Sequence, residues 1–157
     1  MNLEEKIVKA LQEKGYHITT AESCTGGLLA GRILNVSGAS AVYDEGHITY
    51  SNEAKERILG VSSETLKNHG AVSEKTAREM AIGAAKVAGA EVGLSTTGIA
   101  GPGGGTPEKP VGLVYVACAV CGEVFVKECH LKGDREAVRN AAVEEVLELL
   151  EKTLSKC

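Results

Sequence analysis

Ser23 lies in the segment Ala21–Gly27, between a short β-type run and a segment with helical apolar spacing. This context predicts a serine on a strand-to-helix turn with two glycines directly behind it. A helix N-terminus offers unpaired N–H groups and a partial positive charge, which stabilise a bound or developing anion. The turn therefore suits either a serine nucleophile, with oxyanion donors on Thr25, Gly26 and Gly27, or a passive phosphate-binding loop.

Tyr50 and Lys55 place a phenol and an amine five residues apart, across a predicted strand end and first helical turn. If Asn52 caps that helix, Lys55 is its third residue, where the macrodipole opposes a cation. Partial burial would disfavour the ammonium further. Both effects favour the neutral amine that a general base requires, although composition alone favours a solvated helix lysine.

The loop after the third predicted strand contains five glycines in nine positions, from Gly98 to Thr106. It lacks the Gly-Lys-Ser/Thr of a Walker loop and does not open a helix directly, as a dinucleotide fingerprint should. It is interpreted either as a flexible turn or as a pocket wall. In the second case its backbone N–H groups face phosphate or ribose oxygens.

Arg135 and Arg139 are four residues apart at the start of the last predicted helix. Two guanidinium groups on one helix face suit a phosphate or a carboxylate. The alternative is surface pairing with neighbouring acids such as Glu136 or Glu145.

The five cysteines are an odd number without a secretory signal, which favours free thiols in a reducing compartment. Cys118 and Cys121, with Cys129 and His130 nearby, superficially suggest zinc. However, strand alternation would scatter these side chains over both faces of a sheet, and structural zinc sites usually pair two such knuckles. We therefore predict no metal. Cys24 beside Ser23 remains a weaker candidate nucleophile.

Composition excludes several classes of protein. The formal charge of −4, the lack of a basic block and the 3% aromatic content argue against nucleic-acid binding as the main task. No apolar run approaches membrane length, and the amphipathic start is not a signal peptide. We expect a cytoplasmic protein without membrane partners. At 157 residues, without repeats or linkers, residues 1–157 are expected to form a single domain.

Helical and strand patterns alternate in the first part of the chain, and a β-hairpin follows. They predict a layered α/β/α domain with a mixed, mostly parallel sheet, a C-terminal β-hairpin and a long closing helix. The loops after the predicted strands should meet at one sheet edge. The alanine-rich helix favours a homodimer. Helices are predicted over 1–14, 25–35, 51–59, 63–68, 73–88 and 134–154, and strands over 17–21, 41–50, 91–97 and within 111–131.

Several motifs together resemble the C-terminal domain family of CinA proteins, whose characterised activity is nicotinamide-nucleotide amidohydrolase, or NMN deamidase. The resemblance spans nearly the whole chain. CinA proteins often carry a further N-terminal domain. The 157 residues of this sequence leave no room for it, so we expect the stand-alone form. The motifs are Ala21–Gly27, Thr49–Lys55, His69–Glu74, Thr97–Gly104, Glu108–Gly112 and the helix start from Gly133 to Arg139.

The resemblance implies hydrolysis of the NMN carboxamide to nicotinic acid mononucleotide and ammonia, in pyridine nucleotide salvage, without metal or organic cofactor. It implies Ser23 as the nucleophile, and Tyr50 and Lys55 as the activating pair. The alternative is a non-catalytic nucleotide-binding module linked to competence or DNA damage. The residues expected to bind substrate are Thr97, Gly98, Gly101, Gly103 and Gly104, with Arg135 or Arg139 holding the phosphate.

Overall fold

A computed structural model describes residues 1–157, in which five strands form one mixed sheet. The strands are β1 (Ile18–Glu22), β2 (His47–Ile48), β3 (Val92–Gly98), β4 (Leu113–Val120) and β5 (Glu123–His130). They lie in the order β2–β1–β3–β4–β5. β1 pairs in parallel with β2 and β3, whereas β4 is antiparallel to both of its neighbours.

Six α-helices surround the sheet, and polar caps explain where most of them begin. The side chains of Asn2, Ser51, Ser62, Ser73 and Asp134 each accept a backbone N–H of the first helical turn that follows. No helix is long and apolar enough to cross a membrane. The helices are α1 (Leu3–Lys14), α2 (Leu28–Leu34), α3 (Asn52–Leu59), α4 (Ser63–His69), α5 (Glu74–Ala88) and α6 (Arg135–Leu154).

The helices cover both faces of the sheet, as predicted. α1, α2 and α6 share a large aliphatic core with one face, and α3, α4 and α5 pack on the other. The second face is built from small residues. A Cβ on Gly93 of β3 would overlap the carbonyl oxygen of Ala81, so α5 lies unusually close to the strand. The alanine stripe of α5 thus packs against a flat partner.

Two predicted elements are shorter than expected. The strand predicted over 41–50 is reduced to β2, because a 3-10 turn at Ala39–Ala41 precedes it and a hydrogen bond to β1 holds the loop between them. Thr19 donates its hydroxyl proton to the carbonyl of Glu45, 2.8 Å away. α2 begins three residues later than predicted, since Gly26 and Gly27 have φ angles of 53° and 106°. Two of the four strand pairings are parallel and two are antiparallel, so the sheet is mixed as predicted but not mostly parallel.

The expectation that all cysteines are free thiols is wrong for two of them. Cys121 in the β4–β5 turn and Cys157 at the C-terminus form a disulfide, with their Cα atoms 6.3 Å apart. The pairing arises because α6 crosses the sheet and returns the chain end to the hairpin turn. Cys118 and Cys129 remain free and buried. No group of three or more His, Cys, Asp or Glu side chains is arranged to hold a metal ion.

The disulfide and the burial of the remaining thiols can be tested by thiol titration with Ellman's reagent. Unreduced native protein should react with almost no reagent, since the three free cysteines are buried. Unreduced protein in denaturant should titrate as three thiols. The Cys157→Ser variant, which keeps four cysteines, should titrate as four under the same denaturing conditions. Five thiols in unreduced, denatured wild-type protein would contradict the disulfide.

Candidate active site

The carboxyl ends of the three parallel strands lie side by side and bring the predicted loops together. Ser23 follows β1, Lys55 lies in α3 after β2, and the glycine-rich loop follows β3. The Ser23 N–H donates to the Thr96 carbonyl at 3.0 Å, and the Thr49 N–H donates to the Glu22 carbonyl at 2.8 Å. These bonds extend the parallel pairing beyond the strands. The predicted convergence of the loops is confirmed.

Lys55 contacts Ser23 directly. Its Nζ lies 3.0 Å from Ser23 Oγ, 2.8 Å from the Thr49 carbonyl oxygen and 3.4 Å from the Tyr50 carbonyl oxygen. Two carbonyls can accept the two N–H groups of a neutral amine, which leaves the nitrogen lone pair for the Ser23 hydroxyl proton. The geometry therefore fits a general base facing a serine nucleophile.

Burial lowers the basicity of Lys55. The side chain is only 1% exposed, and this desolvation lowers its pKa from 10.5 to about 8. The helix cap is Ser51, so the condition that Asn52 caps the helix is not met. Lys55 is consequently the fourth helical residue, one position further from the N-terminus than expected. The amine is neutral in a substantial fraction of molecules near physiological pH.

Tyr50 contributes differently from Lys55. Its side chain is 65% exposed, and its hydroxyl accepts a hydrogen bond from Arg135 Nη2 at 3.2 Å. Arg135 also donates from Nη1 to the Gly101 carbonyl at 2.9 Å. The part of Tyr50 that contacts Lys55 is the backbone carbonyl. The phenol instead joins Arg135 and the glycine-rich loop at the rim of the site.

The turn after Ser23 supplies unpaired N–H groups, although not the complete set predicted. The Gly26 N–H donates back to the Ser23 carbonyl at 3.2 Å and is therefore engaged. The N–H groups of Cys24, Thr25 and Gly27 form no hydrogen bond within the chain. These three are the donors available to an oxyanion on a group attacked by Ser23.

Glu22 occupies the position where a phosphate would bind in the alternative interpretation of the turn. Its carboxylate is 1% exposed and accepts the N–H groups of Leu29 at 2.9 Å and Ala30 at 3.1 Å, at the start of α2. The hydroxyl of Thr25 donates to the same carboxylate at 2.5 Å. Sequence reasoning missed this role. An acidic residue at the end of a β-type run, just before a helix start, was the available signal.

The two arginines of α6 have separate partners and do not form one anion site. Arg139 donates from Nε to the Cys24 carbonyl at 2.9 Å and from Nη2 to the Thr25 carbonyl at 3.0 Å. A Cβ on Gly26 would lie 3.1 Å from Arg139 Nη2, so a glycine allows this close approach. Arg139 thus braces the turn at residues 23–27, while the exposed Arg135 lies at the rim of the site.

The glycine-rich loop is anchored at both ends. Thr97 donates its hydroxyl proton to the Ala71 carbonyl at 2.8 Å, on the sheet face opposite α2. The neighbouring Thr96 instead faces the site, with its Oγ1 2.7 Å from Thr25 Oγ1. Lys109 donates to the His69 carbonyl at 2.5 Å and closes the loop onto α4. Between these anchors Gly103 and Gly104 are exposed, and the carbonyl of Gly101 accepts a hydrogen bond from Arg135.

Cys24 is a poor nucleophile despite its position beside Ser23. Its thiol belongs to the aliphatic core, and burial raises its pKa to about 11. The thiolate is therefore scarce at neutral pH.

Fold and site together define a mixed α/β protein with a lysine-coupled serine at the carboxyl edge of its parallel strands. Comparison with known proteins is consistent with this class. The family described as the CinA C-terminal domain matches residues 1–154. A CinA-like protein from Kosmotoga olearia is 57% identical over 153 residues, which are 98% of this chain and 37% of that protein.

Solved structures share both fold and sequence with the chain. A competence-damaged protein (CinA) superfamily protein from Klebsiella pneumoniae has a TM-score of 0.95 at 39% identity, covering 99% of this chain and 97% of that one. The competence/damage inducible protein CihA from Agrobacterium tumefaciens has a TM-score of 0.92 at 46% identity, covering 98% and 93%. This chain belongs to the CinA C-terminal domain family. It spans 37% of the length of the first curated relatives that it matches.

Proposed function

We propose that this protein is a serine amidohydrolase that converts nicotinamide mononucleotide to nicotinic acid mononucleotide and ammonia. The observation that carries the proposal is the 3.0 Å contact between Ser23 Oγ and the amine of Lys55. A buried lysine with a lowered pKa beside a serine is an arrangement suited to acyl transfer. Family membership supports the same reaction, since the family includes amidohydrolases.

The first half of the reaction forms an acyl-enzyme. Lys55 takes the hydroxyl proton as Ser23 Oγ attacks the carboxamide carbon, and the carbonyl oxygen becomes an oxyanion. The unpaired N–H groups of Cys24, Thr25 and Gly27 are available to stabilise that charge. The C–N bond then breaks, and the Lys55 ammonium returns its proton to the departing ammonia.

The second half hydrolyses the acyl-enzyme with the same groups. Lys55, neutral again, takes a proton from water as the water oxygen attacks the ester carbon. When the tetrahedral intermediate collapses, the bond to Ser23 Oγ breaks and the lysine proton returns to that oxygen. The products are the free serine and the carboxylic acid of the pyridine. Lys55 therefore acts directly on Ser23, and the Tyr50 phenol acts at the rim.

Arg135 is the better placed arginine for the substrate phosphate. Its guanidinium is exposed and is held beside Gly101 and Tyr50, where it can form charge-assisted bonds with a phosphate. Arg139 already donates to two backbone carbonyls of the turn. We assign phosphate recognition to Arg135 and bracing of the turn to Arg139.

Replacing the nucleophile tests the reaction class. Ser23→Ala should lower ammonia release from nicotinamide mononucleotide by at least about 10³-fold, because Ser23 is the only side chain that forms a hydrogen bond with Lys55. Binding of the mononucleotide, measured by calorimetry, should persist. Ser63→Ala, at an exposed position of α4, is the matched control and should keep its activity. A fully active Ser23→Ala enzyme would exclude this serine as nucleophile. Wild-type protein that binds the nucleotide without ammonia release would favour the non-catalytic module.

The buried lysine predicts a specific pH dependence. Lys55 must be neutral to accept the Ser23 proton, and its pKa is about 8. The kcat/KM should therefore rise about tenfold per pH unit at lower pH and level off above about pH 8. Lys55→Met should remove this dependence along with most of the turnover, while Lys9→Met on the exposed face of α1 should leave the profile unchanged. A flat wild-type profile between pH 6 and 9 would argue against Lys55 as the base.

The two arginines can be separated by comparing nucleotide and nucleoside substrates. Arg135→Gln should raise the KM for the mononucleotide by roughly 10- to 100-fold, the usual effect of losing a charged hydrogen bond. The same variant should change the slower hydrolysis of phosphate-free nicotinamide riboside little. Arg139→Gln should instead lower kcat for both substrates. The opposite pattern would move the phosphate to Arg139.

A further inference from the structure

A linear chain of hydrogen bonds joins Glu22, Thr25 and Thr96 directly beneath the turn at residues 23–27. Glu22 Oε1 accepts from Thr25 Oγ1 at 2.5 Å, and Thr25 Oγ1 lies 2.7 Å from Thr96 Oγ1. All three residues are at most 1% exposed. Water therefore cannot replace a missing partner, and each polar group must be satisfied by its neighbours.

The direction of each hydrogen bond in this chain follows from the Glu22 carboxylate at its end. Both carboxylate oxygens of Glu22 accept backbone N–H groups of α2, so Glu22 can only accept from Thr25. The single hydroxyl proton of Thr25 is thereby used. Thr96 must donate its own proton to Thr25 Oγ1. The Thr25 side chain has one satisfied orientation.

The remaining polar groups of Thr25 are held as well, apart from one. Its carbonyl accepts from the Leu28 N–H at 3.0 Å and from Arg139 Nη2 at 3.0 Å. Side chain and carbonyl are thus both fixed, and only the N–H is unpaired. A donor held in place before the reaction stabilises a developing oxyanion without reorganisation.

We propose that Glu22 is a positioning residue that acts through Thr25, with Thr96 completing the chain, to set the oxyanion donors of the turn. This rests on the proposed amidohydrolase function. A carboxylate is required because three donors meet two oxygens. A carboxamide of the same shape would turn an NH2 group toward the fixed N–H of Leu29 or Ala30.

The decisive experiment compares Thr25→Val with Thr25→Ser. Valine keeps the shape of threonine and loses the hydroxyl, whereas serine keeps the hydroxyl and loses a methyl group. If hydrogen bonding positions the turn, Thr25→Val should have a kcat at least about tenfold below that of Thr25→Ser, with similar KM values, as expected for a weakened transition-state contact. A packing role alone predicts the reverse order, and that order would overturn the proposal.

Glu22→Gln tests the other end of the chain against a matched control. It should lower kcat by roughly 10- to 100-fold, with little change in KM. This loss is smaller than the roughly 10²- to 10³-fold loss that follows removal of an oxyanion donor, because the donor is displaced and not removed. Glu4 is a second buried acid, paired with Arg32 on the far side of α2, and Glu4→Gln should keep the wild-type kcat. Equal kcat values for the two variants would overturn the proposal. Melting temperatures establish that each variant is folded at the assay temperature.

A substrate-independent readout separates this inference from the proposed function. A fluorophosphonate reacts with an activated serine: Lys55 takes the hydroxyl proton, the Ser23 Oγ–P bond forms, and the P–F bond breaks with release of fluoride. The phosphoryl oxygen then occupies the oxyanion position. The labelling rate should follow the same order, with Thr25→Val and Glu22→Gln slow. Labelling in this order without ammonia release would reject the proposed substrate and support the positioning role of Glu22 and Thr25. Equal labelling rates in all variants, or no labelling of wild-type Ser23, would overturn that positioning role.

Discussion

The burial of one amine constrains the whole site. An ammonium group deprived of water is costly unless it is paired, and no carboxylate forms a salt bridge with Lys55. The structure instead offers two backbone carbonyls and a serine hydroxyl, a set that suits a neutral amine. The carbonyls come from residues 49 and 50, immediately after β2. That very short strand is therefore sufficient, since its task is to place these two peptide groups beside β1.

The turn at residues 23–27 differs from the usual phosphate-binding helix N-terminus. In many nucleotide-binding proteins the first N–H groups of the helix hold a phosphate. Here an internal carboxylate takes the N–H groups of Leu29 and Ala30, and the unpaired donors lie earlier, within the turn itself. The helix end is thereby occupied. In the proposed reaction, anion binding divides between the turn, for the developing oxyanion, and the rim, for the substrate phosphate. The separate positions of Arg139 and Arg135 follow the same division.

Much of the fold could be predicted from local signals, and most of the unpredicted features are long-range. Caps such as Ser73 and Asp134 and the hairpin turn at 121–122 are encoded by neighbouring residues, so α5, α6 and the hairpin were predicted correctly. Ser23 and Lys55 could be singled out by residue type and motif. The roles of Glu22 and Arg139, and the Cys121–Cys157 disulfide, depend on side-chain directions and on where α6 ends, which no local pattern encodes. The homodimer and the cytoplasmic location remain predictions.

The bonds from Arg139 to the turn join residues separated by 115 and 114 positions. Lys55 and Ser23 are 32 residues apart, and Arg135 reaches Gly101 across 34. Contacts of such separation require the closure of long loops, which costs conformational entropy. The working geometry is consequently a property of the completed chain and not of any segment. During synthesis Ser23 and Lys55 would emerge early, yet the turn after Ser23 would gain its bonds to Arg139 only when the last helix had docked.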